Sequence, residues 1–229
     1  MTRRLAVCLL AGLAASSVFA AQELPHFIAS RHFSVQYESP YPPAGVLNTL
    51  EGLHAKLLLD LLPFAPWAKD GKIQVVLYSS AERYRAVEVM PAWAGGHVDV
   101  KARRIFLFEG DEFRRTMAHE MAHLFVQDYF AARGSVPPDW LNEGVAMRME
   151  GDYGGAVSSG GRELKEASPS LEAFFNLNYR HAAQRPEEVA LWYGQAGSLA
   201  GYLMRQFPRG QFVAFCDRLR NGASVTLEP

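Results

Sequence analysis

Cysteine is almost absent from this chain. Two occur in 229 residues, Cys8 and Cys216. Cys8 falls in an apolar leader, so the mature chain keeps one thiol and has no internal disulfide. Cys216 sits beside the apolar run Phe212-Val213-Ala214-Phe215, where a cysteine is expected as a buried small hydrophobe. Stability must then come from a packed core. An excess of one charge is also missing. Lys and Arg number 23, Asp and Glu 24, for a formal net charge of −1. No basic cluster stands out, and nucleic acid is not expected as a partner. The chain has no Rossmann or P-loop glycine pattern, no G-x-S-x-G elbow and no internal repeat.

Long hydrophobic runs are scarce. The apolar stretch 5–15 is too short to span a membrane comfortably. Arg3 and Arg4 precede it, and Val18-Phe19-Ala20 supplies small residues at the expected positions. This predicts a secretory signal peptide over residues 1–20, cleaved after Ala20. Cys8 follows Val7 with almost no charged region before it, which argues against a lipoprotein anchor. The mature chain, 21–229, is expected in the periplasm or outside the cell, with no stable membrane anchor. Without Arg3 and Arg4 it carries 21 basic and 24 acidic side chains, a charge of −3.

What is present suits a single globular domain, since 49% of the residues are hydrophobic. Residues 26–38 alternate as strands do, and His32 among them reads as an exposed strand residue. Residues 44–62 predict a helix with Val46, Leu50, Leu53, Leu57 and Leu61 on one face. Residues 72–78 read as a buried strand. Ser79 or Ser80 caps a short helix over 81–87. Residues 93–109 read as strand, turn and strand. Helices follow over 111–130, from 139, over 168–178, 187–207 and 211–221. Five glycines between Gly151 and Gly161 predict a loose loop after Met149, suited to a lid or a plain linker. Strands with helices, then helices alone, make an α+β fold. Its cleft would lie between a sheet-bearing N-terminal half and a helical C-terminal half.

The chemistry is concentrated in His119-Glu120-Met121-Ala122-His123. Two histidines four apart on a helix point the same way, so both imidazoles can reach one metal ion. Glu120 lies about 100° further round, placed to act as a general base on water rather than as a ligand. Phe113, Met117, Met121, Leu124 and Phe125 form a separate apolar stripe. Val126 and Phe130 flank the histidine face, which predicts a cleft rather than bulk solvent. A catalytic zinc needs a third protein ligand and an open position. The metzincin continuation is absent, because Val126 and Tyr129 stand where its glycine and third histidine would be. Glu143, in Trp140-Leu141-Asn142-Glu143-Gly144-Val145-Ala146, is the better candidate. Gly134 can end the first helix, and Pro137-Pro138-Asp139 can open a second, with Asp139 as N-cap. An antiparallel helix pair would return Glu143 to the two histidines. Asp139 and Glu150 are the next candidates for a third ligand.

These segments, with 19 residues between His123 and Glu143, resemble the gluzincin metallopeptidases. That group includes thermolysin and the aminopeptidase-N type. Its peptidase-MA-like branch often carries W-L-N-E-G-x-A. The resemblance is strong over residues 105–149 and weak elsewhere. It implies a zincin-like fold, one zinc ion per chain on His119, His123 and Glu143, Glu120 as general base, and a peptide or protein substrate. It also implies that Tyr193, in Tyr193-Gly194-Gln195-Ala196-Gly197, stabilises the oxyanion. His181 could serve an oxyanion in the thermolysin manner, although a lone loop histidine more often has no such role. Family members usually continue into one more helix beyond the point where this sequence stops.

Two departures stand out. Thermolysin-type enzymes place an aspartate four residues after the glutamate ligand to orient a ligand histidine; here that residue is Met147. The orienting group must come from elsewhere. The aminopeptidase-N type holds the substrate amine with an acidic residue in a Gly-rich strand. The comparable stretch here, Ala94-Gly95-Gly96-His97-Val98, has no carboxylate before Asp99, so aminopeptidase specificity is not supported. Two other functions stay open: a metal-dependent hydrolase of a non-peptide bond, and a non-catalytic zincin-like binding module. Retention of Glu120 argues against the latter, because a purely structural site needs no base.

Overall fold

A computed structural model describes residues 24–90, 94–154, 170–176 and 186–223. The expected signal peptide, His181 and most of the glycine-rich loop lie outside them. The described residues form an α+β fold compatible with the zincin-like expectation. A five-stranded mixed sheet occupies the N-terminal half and helices the C-terminal half.

The strands are β1 (His26–Ala29), β2 (Phe33–Tyr37), β3 (Ile73–Tyr78), β4 (Gly96–Asp99) and β5 (Arg104–Phe108), in the order β1-β2-β3-β5-β4. The β2–β3 and β3–β5 pairs are parallel; β1–β2 and β4–β5 are antiparallel. The nearly unbroken apolar run of β3 follows from its central place, with both faces covered. Ile73, Val75 and Leu77 join Ile105 and Leu107 in the main core, whereas Val76, Tyr78 and Phe106 belong to a smaller cluster on the other face with Tyr84. Gly96 is paired with Leu107, which puts it on the main-core side.

Helix α1 (Val46–Leu61) buries Val46, Leu50, Leu53, Leu57 and Leu61, the stripe its periodicity predicts. Helix α2 (Ala81–Glu88) is capped by Ser80, whose side chain accepts from the Arg83 amide. Helix α3 (Phe113–Ala131) carries the histidines and packs on α1, β4 and β5. Its burial is wider than the apolar stripe alone, because a second helix covers the histidine face as well. That helix is α4 (Asp139–Gly154). Beyond it lie α5 (Leu171–Asn176), α6 (Pro186–Gln206) and α7 (Arg209–Arg220).

Three local expectations are corrected. Helix α4 does not stop at Met149 but runs to Gly154, so Glu150 is a helical residue. Asp139 is the first helical residue rather than the cap; the Pro138 carbonyl accepts from the Leu141 and Asn142 amides. His32 is neither exposed nor in a strand. It sits in the β1–β2 turn, half-buried, with Nδ1 2.6 Å from Glu51 Oε2 and its ring stacked on His54. No helix among the described residues is long and apolar enough to cross a membrane. Cys216 is buried as expected, and burial pushes its thiol up to about 12.

Candidate metal centre

Two helices build the site. Gly134, at φ 70°, lies in the left-handed region that ends α3 without strain on a β-carbon. The chain then reverses, and α4 returns antiparallel to α3. Three contacts fix the register: His123 with Glu143, His119 with Glu143, and Arg115 with Glu150. The predicted helix pair is thus present, and it brings His119, His123 and Glu143 together.

His119 Nε2 and His123 Nε2 are 3.0 Å apart. Glu143 Oε2 lies 3.7 Å from the first and 3.4 Å from the second. Bonds of 2.0–2.1 Å to a tetrahedral zinc would separate ligand atoms by about 3.3 Å. The triangle therefore matches what one zinc needs, and the imidazole planes meet at 82°. Two imidazoles and one carboxylate are also a donor set of catalytic zinc sites, with a fourth position left open. These residues fit the metal.

A second cluster, His32, Glu51 and His54, also gathers potential ligand atoms. Its geometry is unlike the first. The two rings are stacked at 4.4 Å with planes 21° apart, so their in-plane lone pairs cannot converge on one ion. His32 Nδ1 already meets Glu51, and Nε2 lies 3.1 Å from the Lys69 carbonyl. This group ties the β1–β2 turn to α1.

Electrostatics follow from burial. His123, Glu120 and Glu143 are 8%, 7% and 7% exposed. Burial alone would lower the His119 pKa, but hydrogen bonds to Glu143 and Glu150 hold it up at about 10. Burial would raise Glu143; the two histidines outweigh it and hold the carboxyl at about 2. The carboxylates that raise the His119 pKa thus gather around the position a cation would take. Glu120 differs. Burial raises its pKa, against the pull of His123 and His119 and with the repulsion of Glu143. A buried carboxyl poised above its ordinary range is suited to moving protons.

Glu120 lies against the sheet edge. A β-carbon built on Gly96 would stand 3.0 Å from Glu120 Cγ, 2.9 Å from the Phe106 carbonyl oxygen and 3.1 Å from Thr116 Cγ2. Glycine at 96 is what lets β4 approach the helix this closely.

The partner of His119 is not legible in the sequence. Glu150 Oε2 is 3.1 Å from His119 Nδ1, the ring nitrogen turned away from Glu143. Its other oxygen takes a hydrogen bond from Arg115 Nη2. Burial would raise Glu150, yet His119 and Arg115 keep it below the usual carboxylate range. A helix assumed to stop at Met149 hid this contact. Seven residues make nearly two turns, so Glu150 shares a face of α4 with Glu143. Of the two reserve ligand candidates, Glu150 thus meets the ring on the side away from His123, whereas Glu143 lies beside Nε2 of both histidines.

Tyr193 comes from α6. Small residues let α6 pack tightly on α4: a β-carbon on Gly144 would meet the Ala196 carbonyl oxygen at 2.5 Å, and one on Gly197 would meet Met147 Cβ at 3.0 Å. The contacts run in parallel, Gly144 against Ala196 and Arg148 against Gly201. Tyr193, one turn before Ala196 and Gly197, is on the α4-facing side of α6, level with the first turn of α4. It is half-buried. Tyr129, where a metzincin would carry its third histidine, donates to Asp217 Oδ1 at 2.6 Å and packs under Arg220, tying α3 to α7.

No curated protein matches the chain. Residues 67–228, well over half of its length, match the family model of the Peptidase MA superfamily. The matched stretch holds both helices of the site, the sheet edge beside Glu120 and the helix bearing Tyr193. With its α+β fold and its paired histidine-bearing and glutamate-bearing helices, the chain belongs to the Peptidase MA superfamily, a group of zincin-like metallopeptidases.

Proposed function

We propose that this protein is a zinc-dependent peptidase of the gluzincin type, exported from the cytoplasm. The observation that carries the reading is the convergence of His119 Nε2, His123 Nε2 and Glu143 Oε2 beside a buried Glu120. His119, His123 and Glu143 would hold one zinc ion. When bound, zinc supplies a Lewis acid that polarises a carbonyl and acidifies water.

The chain's own groups supply the rest. Glu120 accepts a proton from the attacking water and returns it to the leaving amine. Its raised pKa supports this double duty, since the carboxyl must both take and release the proton. The packing of Glu120 against Gly96 restricts its carboxylate to one side of the site. Tyr193 donates to the carbonyl oxygen as negative charge builds there. The α4-facing side of α6 supports that role.

A peptide substrate is favoured over a non-peptide one by the sheet. Strand β4 is an edge, paired with β5 alone among the described residues. An extended peptide can add to such an edge through main-chain hydrogen bonds. Glu120 lies directly behind Gly96 of that strand, so a peptide added there would pass the base. Residues 1–20 support export.

The test is an unbiased peptide library digested by the mature, zinc-loaded protein and read by mass spectrometry. Cleavage abolished by a chelator and restored by zinc is expected. A fully zinc-loaded protein that leaves peptides intact but hydrolyses ester or amidase substrates would move the assignment to a non-peptide hydrolase.

A further inference from the structure

A metal-binding histidine usually needs its second nitrogen held, because that bond fixes the tautomer and the ring orientation. In this chain the position four residues after Glu143 holds Met147, which cannot accept such a bond. We infer that Glu150, anchored by Arg115, is the positioning carboxylate of His119. It receives Nδ1–H, which leaves Nε2 with its lone pair toward the metal. This inference rests on the zinc reading above.

The geometry is specific. Glu143 and Glu150 are seven residues apart on α4, within about 20° of the same face. Glu143 Oε2 is 3.7 Å from His119 Nε2, and Glu150 Oε2 is 3.1 Å from His119 Nδ1. One helix face thus grips both nitrogens of one imidazole. Arg115 lies one turn before His119 on α3 and donates to the free oxygen of Glu150. Its Nη1 also donates to Glu112 Oε2 at 2.7 Å. The guanidinium locks the rotation of the Glu150 carboxylate and balances its charge beside Glu143. A carboxylate this enclosed, with its side chain 15% exposed, would otherwise be costly.

His123 makes the contrast. Its Nδ1 is buried and has no hydrogen-bond partner among the described residues. His119 is therefore the ligand whose direction is set before the metal arrives. A mere surface ion pair between Arg115 and Glu150 would not need the second carboxylate oxygen on an imidazole. Nor is Glu150 itself placed as a ligand, because it meets the ring on the side away from Glu143 and His123.

The test compares Glu150→Ala, Glu150→Gln and Arg115→Ala with the wild-type chain, with zinc affinity measured by chelator competition and the absorption spectrum recorded with cobalt(II). Circular dichroism and melting of the metal-free proteins check the fold. Glu150→Ala is expected to weaken zinc about 10–100-fold and to alter the cobalt spectrum. Glu150→Gln keeps an acceptor oxygen and the side-chain shape, so about three- to tenfold is expected. Arg115→Ala is expected to fall in the same lower range. A folded Glu150→Ala or Glu150→Gln protein with wild-type affinity and spectrum overturns the inference. So does loss of binding as complete as that of His119→Ala, which would make Glu150 a ligand. A wild-type chain that binds no zinc would instead overturn the zinc reading, and this inference with it. Glu150→Gln, nearly isosteric, carries the measurement should Glu150→Ala fail to fold.

Discussion

Gly96 and Glu120 are in direct contact, the first on the edge strand and the second on the helix behind it. A single methyl at residue 96 would stand 3.0 Å from Glu120 Cγ and 2.9 Å from the Phe106 carbonyl. The backbone carbonyl cannot move aside without disturbing the β4–β5 pairing, so Gly96→Ala must displace either the strand or the glutamate. The expected cost is about 1–3 kcal/mol of stability. Turnover should fall further than stability explains, because the base is the mobile partner. Zinc occupancy should persist, since no ligand is touched. Melting, zinc content and turnover of the Gly96→Ala protein check this; full turnover in a stable variant would show that Glu120 tolerates the methyl.

Under the zinc reading proposed above, Glu143 would be the third ligand. Glu143→Gln should lower zinc affinity strongly, as should His123→Ala, and both should reduce the one zinc expected per chain. Asn142→Ala, one residue away and not a ligand, should have a smaller effect. Elemental analysis after dialysis separates the cases. Wild-type zinc content in the Glu143→Gln protein would mean that the third ligand lies elsewhere.

The His32–Glu51 contact makes a forecast about acid. Burial would raise the Glu51 pKa, but hydrogen bonds from His32 outweigh it and bring the carboxyl from 4.5 to about 2. A depressed carboxyl pKa stabilises the fold above the unfolded value and loses that contribution as pH falls toward the folded one. The loss is therefore expected between about pH 4.5 and 2. Partial solvent access limits its size to about 1 kcal/mol. Chelated protein should melt less steeply with acid when Glu51 is changed to Gln. An identical acid limb in the two proteins would mean that the pair contributes nothing.

The helix pair was legible in the sequence for physical reasons. Four-residue spacing, a glycine to end one helix and a proline pair to open the next all act locally, and the structure puts Glu143 where they predict. The stripe on α1 and the strand at 73–78 follow from equally local periodicity. Long-range pairings were not legible. His32 reads as an exposed strand residue until α1 supplies Glu51 and His54 against it. Glu150 was hidden by Gly151, which reads as a helix breaker, although packing against α6 accompanies a helix that continues to Gly154. The closeness of Gly96 to Glu120 depends on sheet order, and no spacing rule yields that order.

The central claim is that Glu120 moves a proton and does not bind the metal. Glu120→Gln keeps the shape of the side chain and removes only its ability to accept a proton. The decisive measurement is turnover per zinc-loaded chain for Glu120→Gln against wild type, on any peptide found in the library digest. The account predicts unchanged fold, about one zinc per chain, and turnover reduced by at least ~10²–10⁴-fold. Undiminished cleavage by the zinc-loaded Glu120→Gln protein would contradict it.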